Sequence, residues 1–512
     1  MKYEHIIIAA VFAAAACTTE FNTDEDGDGS SDTTGETSSD GTDIPDGADT
    51  TPDVEPDGPP PGHVVCSTDR DVYVWYDSDL RVPWGCPTVG DCRDTDFWMG
   101  FSSGNLVVIS GGEGDGVSPD SGGLFAGAVL ITESELTSDG AQQIPLSFPD
   151  GHSPRYDSGS LILNHEDELI LLYAVREWGG SSLTNQYIDA LSVRAGTDGS
   201  ITTDGWQFMS DLPATTEPDP INNIRAIRHG DDAYVFYNVE HDLGMGPAPG
   251  QMFGGTFSLA EILAGGEFDH GTEFHALQPT RDHIDYPLSP GIALGRVVLP
   301  MIRLVLTGMT GDYFSSVWSF DGPIPSSGAH NEMDFESTES FAGSTAASGL
   351  GPDGDLAAAA LSSNEQFSMT GMDPPYVLNV AMTGSPDDTT LVGERVTNVN
   401  DPSIREMDHF DLKDPKIFYD DVMGIFHYVI VLFPAGRNAT VHVYSFFPDG
   451  TPATEAAMPF TFETGSATLP AFDTVMSPET GRIYVVVYPG DETSGSADGY
   501  YVTEIACDLI TE

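Results

Sequence analysis

The chain has 512 residues, of which 81 are Asp or Glu and only 18 are Lys or Arg, so its formal net charge is −63. A surface this acidic repels phosphate backbones, which excludes nucleic acid as an expected partner. The hydrophobic content of 39%, with 26 Phe, 18 Tyr and 6 Trp, is enough for a folded core and excludes a chain that is disordered throughout.

The first predicted element is an apolar run from Ile6 to Ala16 that follows Lys2. It is too short to cross a bilayer as a stable helix but suits a signal-peptide core, so residues 1–16 are predicted to be a signal peptide. The segment Ala14-Ala15-Ala16-Cys17 resembles the lipobox of bacterial lipoproteins. This resemblance implies cleavage before Cys17, lipidation of Cys17, and a protein of the bacterial cell envelope, periplasmic or at the cell surface, that contacts the membrane only through its lipid.

Residues 17–62 form the next predicted segment, rich in Asp, Glu, Ser, Thr, Gly and Pro and without Lys or Arg. Such a segment has too little apolar surface to offset the entropy of ordering it, so we expect a disordered, self-repelling and therefore extended linker. Within it, a calcium-loop pattern is partly present, with acidic residues at Asp24, Asp26, Asp28 and Asp32. Gly35 stands where a bidentate Glu is needed, which favours a solvated spacer, with weak calcium binding as the alternative.

The body, residues 63–512, repeats one pattern seven times: a first strand, a turn rich in Gly, Asp or Asn, and a strongly apolar second strand. The apolar strands include "GNLVVISGGE" from residue 104, "ELILLYAV" from 168, "DAYVFYNV" from 232 and "RIYVVVYP" from 482. The first strands begin near Asp96, Pro154, Asn223, Ile284, Thr345, Pro415 and Pro470, at spacings of 55 to 70 residues.

This repeat predicts an all-β fold, a single β-propeller of seven four-stranded blades, because only neighbouring blades can cover the apolar faces of each sheet. Six or eight blades fit if one repeat is misread, and two stacked β-sandwich domains are the rival architecture. The last repeat lacks one strand, so we expect an N-terminal strand within residues 63–77 to complete the last blade.

The cysteines beyond Cys17 support this closure. A signal peptide directs the chain to an oxidising compartment, so four cysteines should pair, and free buried thiols are the alternative. Cys66 lies in the N-terminal strand and Cys507 in the final strand, while Cys86 and Cys92 flank one short loop. We therefore predict the disulfides Cys66–Cys507 and Cys86–Cys92.

The candidate ligand site is the channel mouth, where the first strands of propeller blades begin. The candidates there are charged or imidazole-bearing residues at blade entrances: Asp96, Arg155, Arg225, His283, Asp285, His409 and Asp414. Each arginine is expected to hold a carboxylate, either of a neighbouring Asp or of an anionic ligand. The histidines with their adjacent carboxylates could hold a divalent ion or could be solvated loop residues.

Two features are similar to those of sialidase-type propellers. One is an arginine at a blade entrance, Arg155, and the other is the Asp-Gly turn Asp198-Gly199, which is followed by Trp206. The resemblance covers one or two blades and concerns the fold alone. Two functions stay open. The first is a tethered, non-catalytic propeller that binds a protein or glycan through one face. The alternative is a carbohydrate-active hydrolase or lyase with its site at the channel mouth.

Overall fold

Apolar runs separated by turn residues place almost every regular residue that the structure describes in β-strands. The computed structural model describes residues 62–76, 96–112, 123–144, 152–163, 167–179, 182–211, 221–242, 247–264, 268–269, 272–275, 283–287, 289–293, 295–307, 310–320, 322–324, 329–334, 347–351, 356–363, 376–383, 399–400, 416–432, 440–454, 458–461, 472–487 and 499–511. These residues belong to one unit, Gly62–Thr511. The predicted signal peptide, Cys17, the linker carboxylates, Cys86, Cys92, His409 and Asp414 lie outside the described residues.

The N-terminal half contains three sheets, which follow one another along the chain. Strand β1 (His63–Trp75) comes first and joins the sheet that contains the C-terminal strand. The first sheet consists of β2 (Asp96–Ser102), β3 (Asn105–Gly112), β4 (Gly123–Ile131), β5 (Leu136–Thr137) and β6 (Ala141–Gln143). The second sheet contains β7 (His152–Leu163), β8 (Leu169–Gly179), β9 (Ser182–Ala195) and β10 (Ile201–Asp211). The third contains β11 (Ile221–His229), β12 (Asp232–Asp242), β13 (Pro247–Ser258) and, after the helix α1 (Leu259–Ala264) and β14 (Phe268–Asp269), β15 (Thr272–His275).

The C-terminal half continues the pattern with four sheets. The fourth sheet contains β16 (His283–Pro287), β17 (Gly291–Ala293), β18 (Arg296–Thr307), β19 (Thr310–Phe320) and β20 (Ala329–Asp334). The fifth contains β21 (Ala347–Leu350), β22 (Leu356–Ser363), β23 (Tyr376–Thr383) and β24 (Val399–Asn400), and the sixth β25 (Lys416–Asp420), β26 (Ile425–Leu432), β27 (Thr440–Phe446) and β28 (Met458–Thr461). The last, called the terminal sheet, has the order β1-β31-β30-β29, with β29 (Phe472–Met476), β30 (Ile483–Val487) and β31 (Gly499–Ile510).

The nearly all-β character predicted from the sequence is confirmed, since the described residues form small antiparallel sheets and one short helix. A single parallel pair occurs among them, where β14 pairs with β10 at the edge of the second sheet. The helix α1 lies in the segment "SLAEILAGG", with Leu259 and Ile262 buried. In the described part of the chain, no helix is both long enough and apolar enough to cross a membrane.

The core lies between the sheets. Each apolar second strand has a strand on either side in its sheet. Where its burial is described it is covered by neighbouring sheets, and β30, for example, is buried over its whole length. Apolar clusters fill the spaces between the first and second, second and third, third and fourth, sixth and terminal, and terminal and first sheets. The fourth sheet contacts the fifth through β17, β18 and β21. Gly349 packs so closely on the sixth sheet that a Cβ there would lie 2.7 Å from the carbonyl oxygen of Ile417.

The terminal sheet joins the two ends of the described chain. Strand β1 pairs antiparallel with β31 from His63↔Ile510 to Trp75↔Gly499, and Cys66 lies opposite Cys507, to which it is disulfide-bonded. This is the pairing expected from the sequence. The buried carboxylate of Glu504 accepts hydrogen bonds from Arg70 and Arg482, which connects β1, β31 and the start of β30.

Candidate functional site

Each sheet has its first strand at one edge, and the same kind of hydrogen bond joins two of the neighbouring pairs of first strands. The first strands are β2, β7, β11, β16, β21, β25 and β29. The backbone N–H of Met99 in β2 donates to Asp473 Oδ2 in β29 at 3.1 Å. The backbone N–H of Ala226 in β11 donates to Ser160 Oγ in β7 at 2.8 Å. Both acceptor side chains lie three residues before the end of their strand pairing, at Met476 and Leu163. One sheet therefore satisfies an edge N–H of the next in the same way twice.

Asp473 is also the acceptor for Lys416, one of the three lysines in the sequence. Lys416 Nζ pairs with Asp473 Oδ1 and donates to the carbonyl oxygen of Thr474 at 2.8 Å. The side chains of Lys416 and Asp473 are only 25% and 14% exposed, so the pair is partly shielded from water. Asp473 thus connects the first strands of the sixth, terminal and first sheets.

Two of the first strands contain an irregularity beside an arginine. In β7, Arg155 pairs with Ala174 but Gly159 already pairs with Tyr173, so three residues bulge out of the ladder. In β11, Asn222 pairs with Asn238 and Arg225 with Phe236, which leaves two residues opposite one. Such bulges turn side chains away from the regular alternation and are over-represented next to active sites. Arg225 is half-buried, and its Nη1 donates to the carbonyl oxygen of Ile224 at 3.1 Å.

Five of the predicted channel-mouth residues lie in first strands. Asp96 begins β2, Arg155 and Arg225 lie beside the two bulges, and His283 and Asp285 lie two residues apart in β16, opposite Val305 and Arg303. The structure therefore places them in the first strands of four successive sheets. Their joint action on a ligand stays a prediction.

The Asp-Gly turn noted in the sequence has a local structural role. Asp198 Oδ1 accepts hydrogen bonds from the backbone N–H and the hydroxyl of Ser200 at 3.1 and 2.7 Å, and Gly199 has a φ of 84°. These bonds hold the carboxylate in its charged form and lower the pKa of Asp198. The turn follows β9, and Trp206 lies further on in β10.

Sequence reasoning missed Asp189, a carboxyl inside the apolar space between the first and second sheets. Asp189 lies two residues from Tyr187 and two from Leu191 along β9, so it shares a face of the strand with these buried side chains. Its Oδ1 has no hydrogen-bond partner among the described residues, and burial raises the pKa of Asp189 to about 7. The signal was present in "YIDALSV", where a strand read with a period of two places the Asp on the apolar face.

A serine, a histidine and an aspartate also meet in the sixth sheet. His427 Nδ1 is 2.8 Å from Ser445 Oγ, and His427 Nε2 is 3.8 Å from Asp420 Oδ2. Burial acts to raise the pKa of Asp420, but His427 and the backbone N–H groups of Met423 and Val422 outweigh it, so the pKa is lowered. All three side chains are at most 2% exposed, so a substrate cannot reach this group and its role is structural.

The described residues do not contain a group of three or more His, Cys, Asp or Glu side chains arranged to hold a metal ion. The predicted linker calcium site and two of the channel-mouth residues lie outside the described ranges, so that statement does not extend to them. The described part of the site contains the half-buried guanidinium of Arg225 beside a bulge and the partly shielded pair of Lys416 and Asp473, and all three residues lie in first strands.

No protein-family model matches this sequence, and no curated protein matches it. Among solved structures, the chain is similar to the polysaccharide lyase Uly1, with 10% identity over 87% of this chain and 99% of that one and a TM-score of 0.45. It is similar to a PL25 ulvan lyase with 11% identity, coverage of 86% and 96%, and a TM-score of 0.47. It is also similar to the GH93 α-L-arabinofuranosidase of Fusarium graminearum, with 8% identity, coverage of 86% and 98%, and a TM-score of 0.40. At these identities and TM-scores, the likenesses carry no conclusion about the activity of this chain.

Proposed function

We infer that the seven sheets of the described chain are the blades of one closed propeller. The support is that consecutive sheets pack on one another and that the terminal sheet, which contains both chain ends, packs on both the sixth and the first. The hydrogen bond from Met99 to Asp473 crosses the same junction. In such a ring the edges of the first strands line a central channel, and the residues where those strands begin surround its mouth.

We propose that the protein is a carbohydrate-active enzyme, a hydrolase or lyase, with its site at this channel mouth. The observation that carries the proposal is the pair of bulges in β7 and β11, each beside an arginine of a chain that has few cations. A guanidinium presents five N–H donors in a fixed fork, which suits the oxygen-rich rim of a sugar. Bulges are over-represented next to active sites, so two bulges beside arginines in neighbouring first strands support a site at this end of the sheets.

The reaction itself is assigned to carboxyl or imidazole groups at the other blade entrances. Asp96, His283 and Asp285 lie in first strands, and Asp414 and His409 precede β25 in the sequence. A hydrolase needs a carboxylic acid and a carboxylate on opposite sides of the scissile bond, and a lyase needs a base that removes a proton next to a carbonyl. Binding of a protein or glycan without turnover is the competing function.

The test is a screen of the purified full chain against neutral and anionic polysaccharides, in which new reducing ends report hydrolysis and ultraviolet absorbance reports the unsaturated ends made by a lyase. We expect turnover of at least one polysaccharide and a loss of about 100-fold or more in kcat/KM for Arg225→Lys, which keeps the charge but not the fork. Arg228→Lys is the matched control. Arg228 lies in the same strand, and its Nε donates to Gly230 O in the turn at the far end.

Two results contradict this proposal. Equal losses for Arg225→Lys and Arg228→Lys would show that the effect is on the strand and not on the site. Absence of turnover on every polysaccharide, together with tight binding of one of them, would establish the non-catalytic function instead.

We also propose that Cys17 carries a lipid and that the protein is tethered to a membrane of the bacterial cell envelope. The apolar run before Cys17 and the small residues Ala15 and Ala16 support cleavage there. The acidic linker would then hold the propeller away from a membrane surface that is itself anionic.

A further inference from the structure

Three aromatic residues form a patch on the outer part of the terminal sheet. Trp75 and Tyr501 are 47% and 38% exposed, and Tyr73 is half-buried beside them. Tyr73 lies directly opposite Tyr501 in the β1–β31 pairing, with ring centroids 4.8 Å apart, and Trp75 follows on the same face of β1 two residues later. We call Tyr73, Trp75 and Tyr501 the aromatic patch. The other exposed large apolar side chains of the described residues are aliphatic and do not cluster with it.

The position of Trp75 is held by its surroundings. Gly140 has a φ of 99°, and a Cβ added there would lie 2.9 Å from Trp75 Nε1 and 2.8 Å from Trp75 O. The indole edge therefore rests on a glycine backbone that has no room for a side chain. The next residue, Tyr76, forms a bridge with Ala141, which ties the end of β1 to the first sheet. An aromatic ring fixed before binding loses little conformational entropy when a ligand covers it.

The aromatic patch lies at the end of the terminal sheet where β29 begins. The register runs across the sheet from Phe472 to Val487, from Val487 to Tyr501, and from Tyr501 to Tyr73. Asp473, which connects three first strands, is the residue after Phe472. The aromatic patch and the proposed channel mouth are therefore at the same end of the strands of this sheet. The patch is at the outer edge of the sheet, and the channel mouth is at its inner edge.

The charges around the patch decide which ligand it suits. Asp71 lies two residues before Tyr73, and Asp139 precedes Gly140, which contacts Trp75; both carboxylates are exposed. Arg70, the nearest cation on β1, is paired with Glu504. With a net charge of −63 on the chain, an anionic polymer is repelled here. A second copy of the chain is disfavoured as well, because the edge strand carries the exposed Asp69 and Asp71 and a register shift between Thr68 and Arg70. A neutral sugar chain has no charge to repel, and the C–H groups on one face of a pyranose ring are an apolar surface that stacks on aromatic rings.

We propose that the aromatic patch binds a neutral polysaccharide chain and holds it across the terminal sheet towards the channel mouth. This inference rests on the proposed carbohydrate function and narrows it to hydrolysis of uncharged polysaccharides, because a neutral chain lacks the uronic-acid carboxyl beside which a lyase removes a proton. It places recognition at Trp75 and Tyr501, away from the residues assigned to the reaction.

The test is affinity electrophoresis of the full chain in native gels that contain a soluble polysaccharide. The neutral probes are hydroxyethyl cellulose, xyloglucan and galactomannan, and carboxymethyl cellulose is the charged counterpart of the first. We expect at least one neutral probe to retard the wild type, and Trp75→Ala and Tyr501→Ala to weaken this binding by about tenfold or more. Val422→Ala is the matched control, because Val422 is the most exposed apolar side chain of the described residues, at 69%, and lies in the sixth sheet's first turn.

The inference is overturned if no neutral probe retards the wild type, if only carboxymethyl cellulose does so, or if both aromatic variants bind like the Val422→Ala control. A sedimentation coefficient that falls in Trp75→Ala would assign the patch to a second copy instead. Failure here is distinguishable from failure of the proposed enzyme, because electrophoresis measures binding without turnover. If the protein degrades a polysaccharide, if this activity requires Arg225, and if Trp75→Ala does not change binding, the proposal for the aromatic patch is wrong and the proposed enzyme stands.

Discussion

At the scale of single residues, Asp189 is the most unusual group in the described structure. A carboxyl that lies among apolar side chains without a partner for Oδ1 loses the hydration that stabilises its charge. The consequence is a pKa raised from 3.8 to about 7, caused by burial. The folded chain therefore keeps this proton between these pH values, whereas the unfolded chain releases it. The free energy of unfolding falls as the pH rises through this window and levels off above it.

We predict that Asp189→Asn removes this pH dependence. The variant should be more stable than the wild type at pH 8, by about 4 kcal/mol at most, and the difference should shrink towards pH 4. Urea unfolding of both proteins at several pH values measures it. Asp204→Asn, at an exposed carboxyl in the adjacent strand β10, is the control and should leave the profile unchanged. Parallel profiles for the wild type and Asp189→Asn would show that this carboxyl is not buried in solution.

At the scale of elements, the terminal sheet combines strands from both ends of the chain. Three kinds of interaction hold β1 in place: backbone pairing with β31, the Cys66–Cys507 disulfide, and the hydrogen bonds from Arg70 and Arg482 to Glu504. Arg482 also pairs with Asp69 Oδ2 at 2.8 Å, and this hydrogen bond lowers the pKa of the Asp69 carboxyl. The buried carboxylate thus has two cationic partners, which offsets the cost of taking its charge out of water.

We predict that the double variant Cys66→Ala/Cys507→Ala unfolds at a lower temperature than the wild type. The disulfide joins residues 441 apart, and the chain-entropy account gives a loop of this size roughly 6 kcal/mol. Thermal unfolding under non-reducing conditions measures the difference, and adding a reductant to the wild type should reproduce it. If the reductant lowers the wild-type transition while the double variant remains as stable as the oxidised wild type, another disulfide is responsible.

At the scale of the whole molecule, the proposed tether and the described sheets share the same excess of negative charge. The chain carries a net charge of −63, and residues 18–62 contain no Lys or Arg, so we expect the proposed linker to repel itself and the other acidic parts of the chain. The tether and the sheets are therefore expected to be independent in stability.

We predict that Cys17→Ala, which removes the proposed lipid, releases the protein from membranes without changing the thermal unfolding of the sheets, because we expect the lipid and linker to lie outside their core. Sedimentation of membrane fractions and a melting curve of the released protein check the two parts. Cys86→Ala is the control for loss of a cysteine as such and should remain with the membranes. A Cys17→Ala variant that still sediments with membranes would show that the anchor is elsewhere.

Much of the architecture could be predicted from local pattern. A continuous apolar strand such as "RIYVVVYP" indicates a strand covered on both faces, and β30 is such a strand. The predicted first-strand starts near Asp96 and Pro415 agree with β2 and β25, which begin at Asp96 and Lys416. The Cys66–Cys507 disulfide could also be anticipated, because the missing strand of the last repeat required one from the N-terminus. The strands depend on period and turn residues, which can be read within one repeat, and the disulfide depends on comparing the number of strands in the last repeat with that in the others.

Only the tertiary structure decided which side chains meet between repeats. The bonds from Lys416 to Asp473 and from Met99 to Asp473 join residues 57 and 374 positions apart, and no period in the sequence relates them. The bulges beside Arg155 and Arg225 depend on the register with the second strand, which a strand's own residues do not determine. The sequence by itself determined the strands, their order and the meeting of the two chain ends, because local periodicity specifies these. The contacts at the inner edges were decided by packing between sheets and the aromatic patch by the pairing of β1 with β31, because both arise where distant segments are brought together in space.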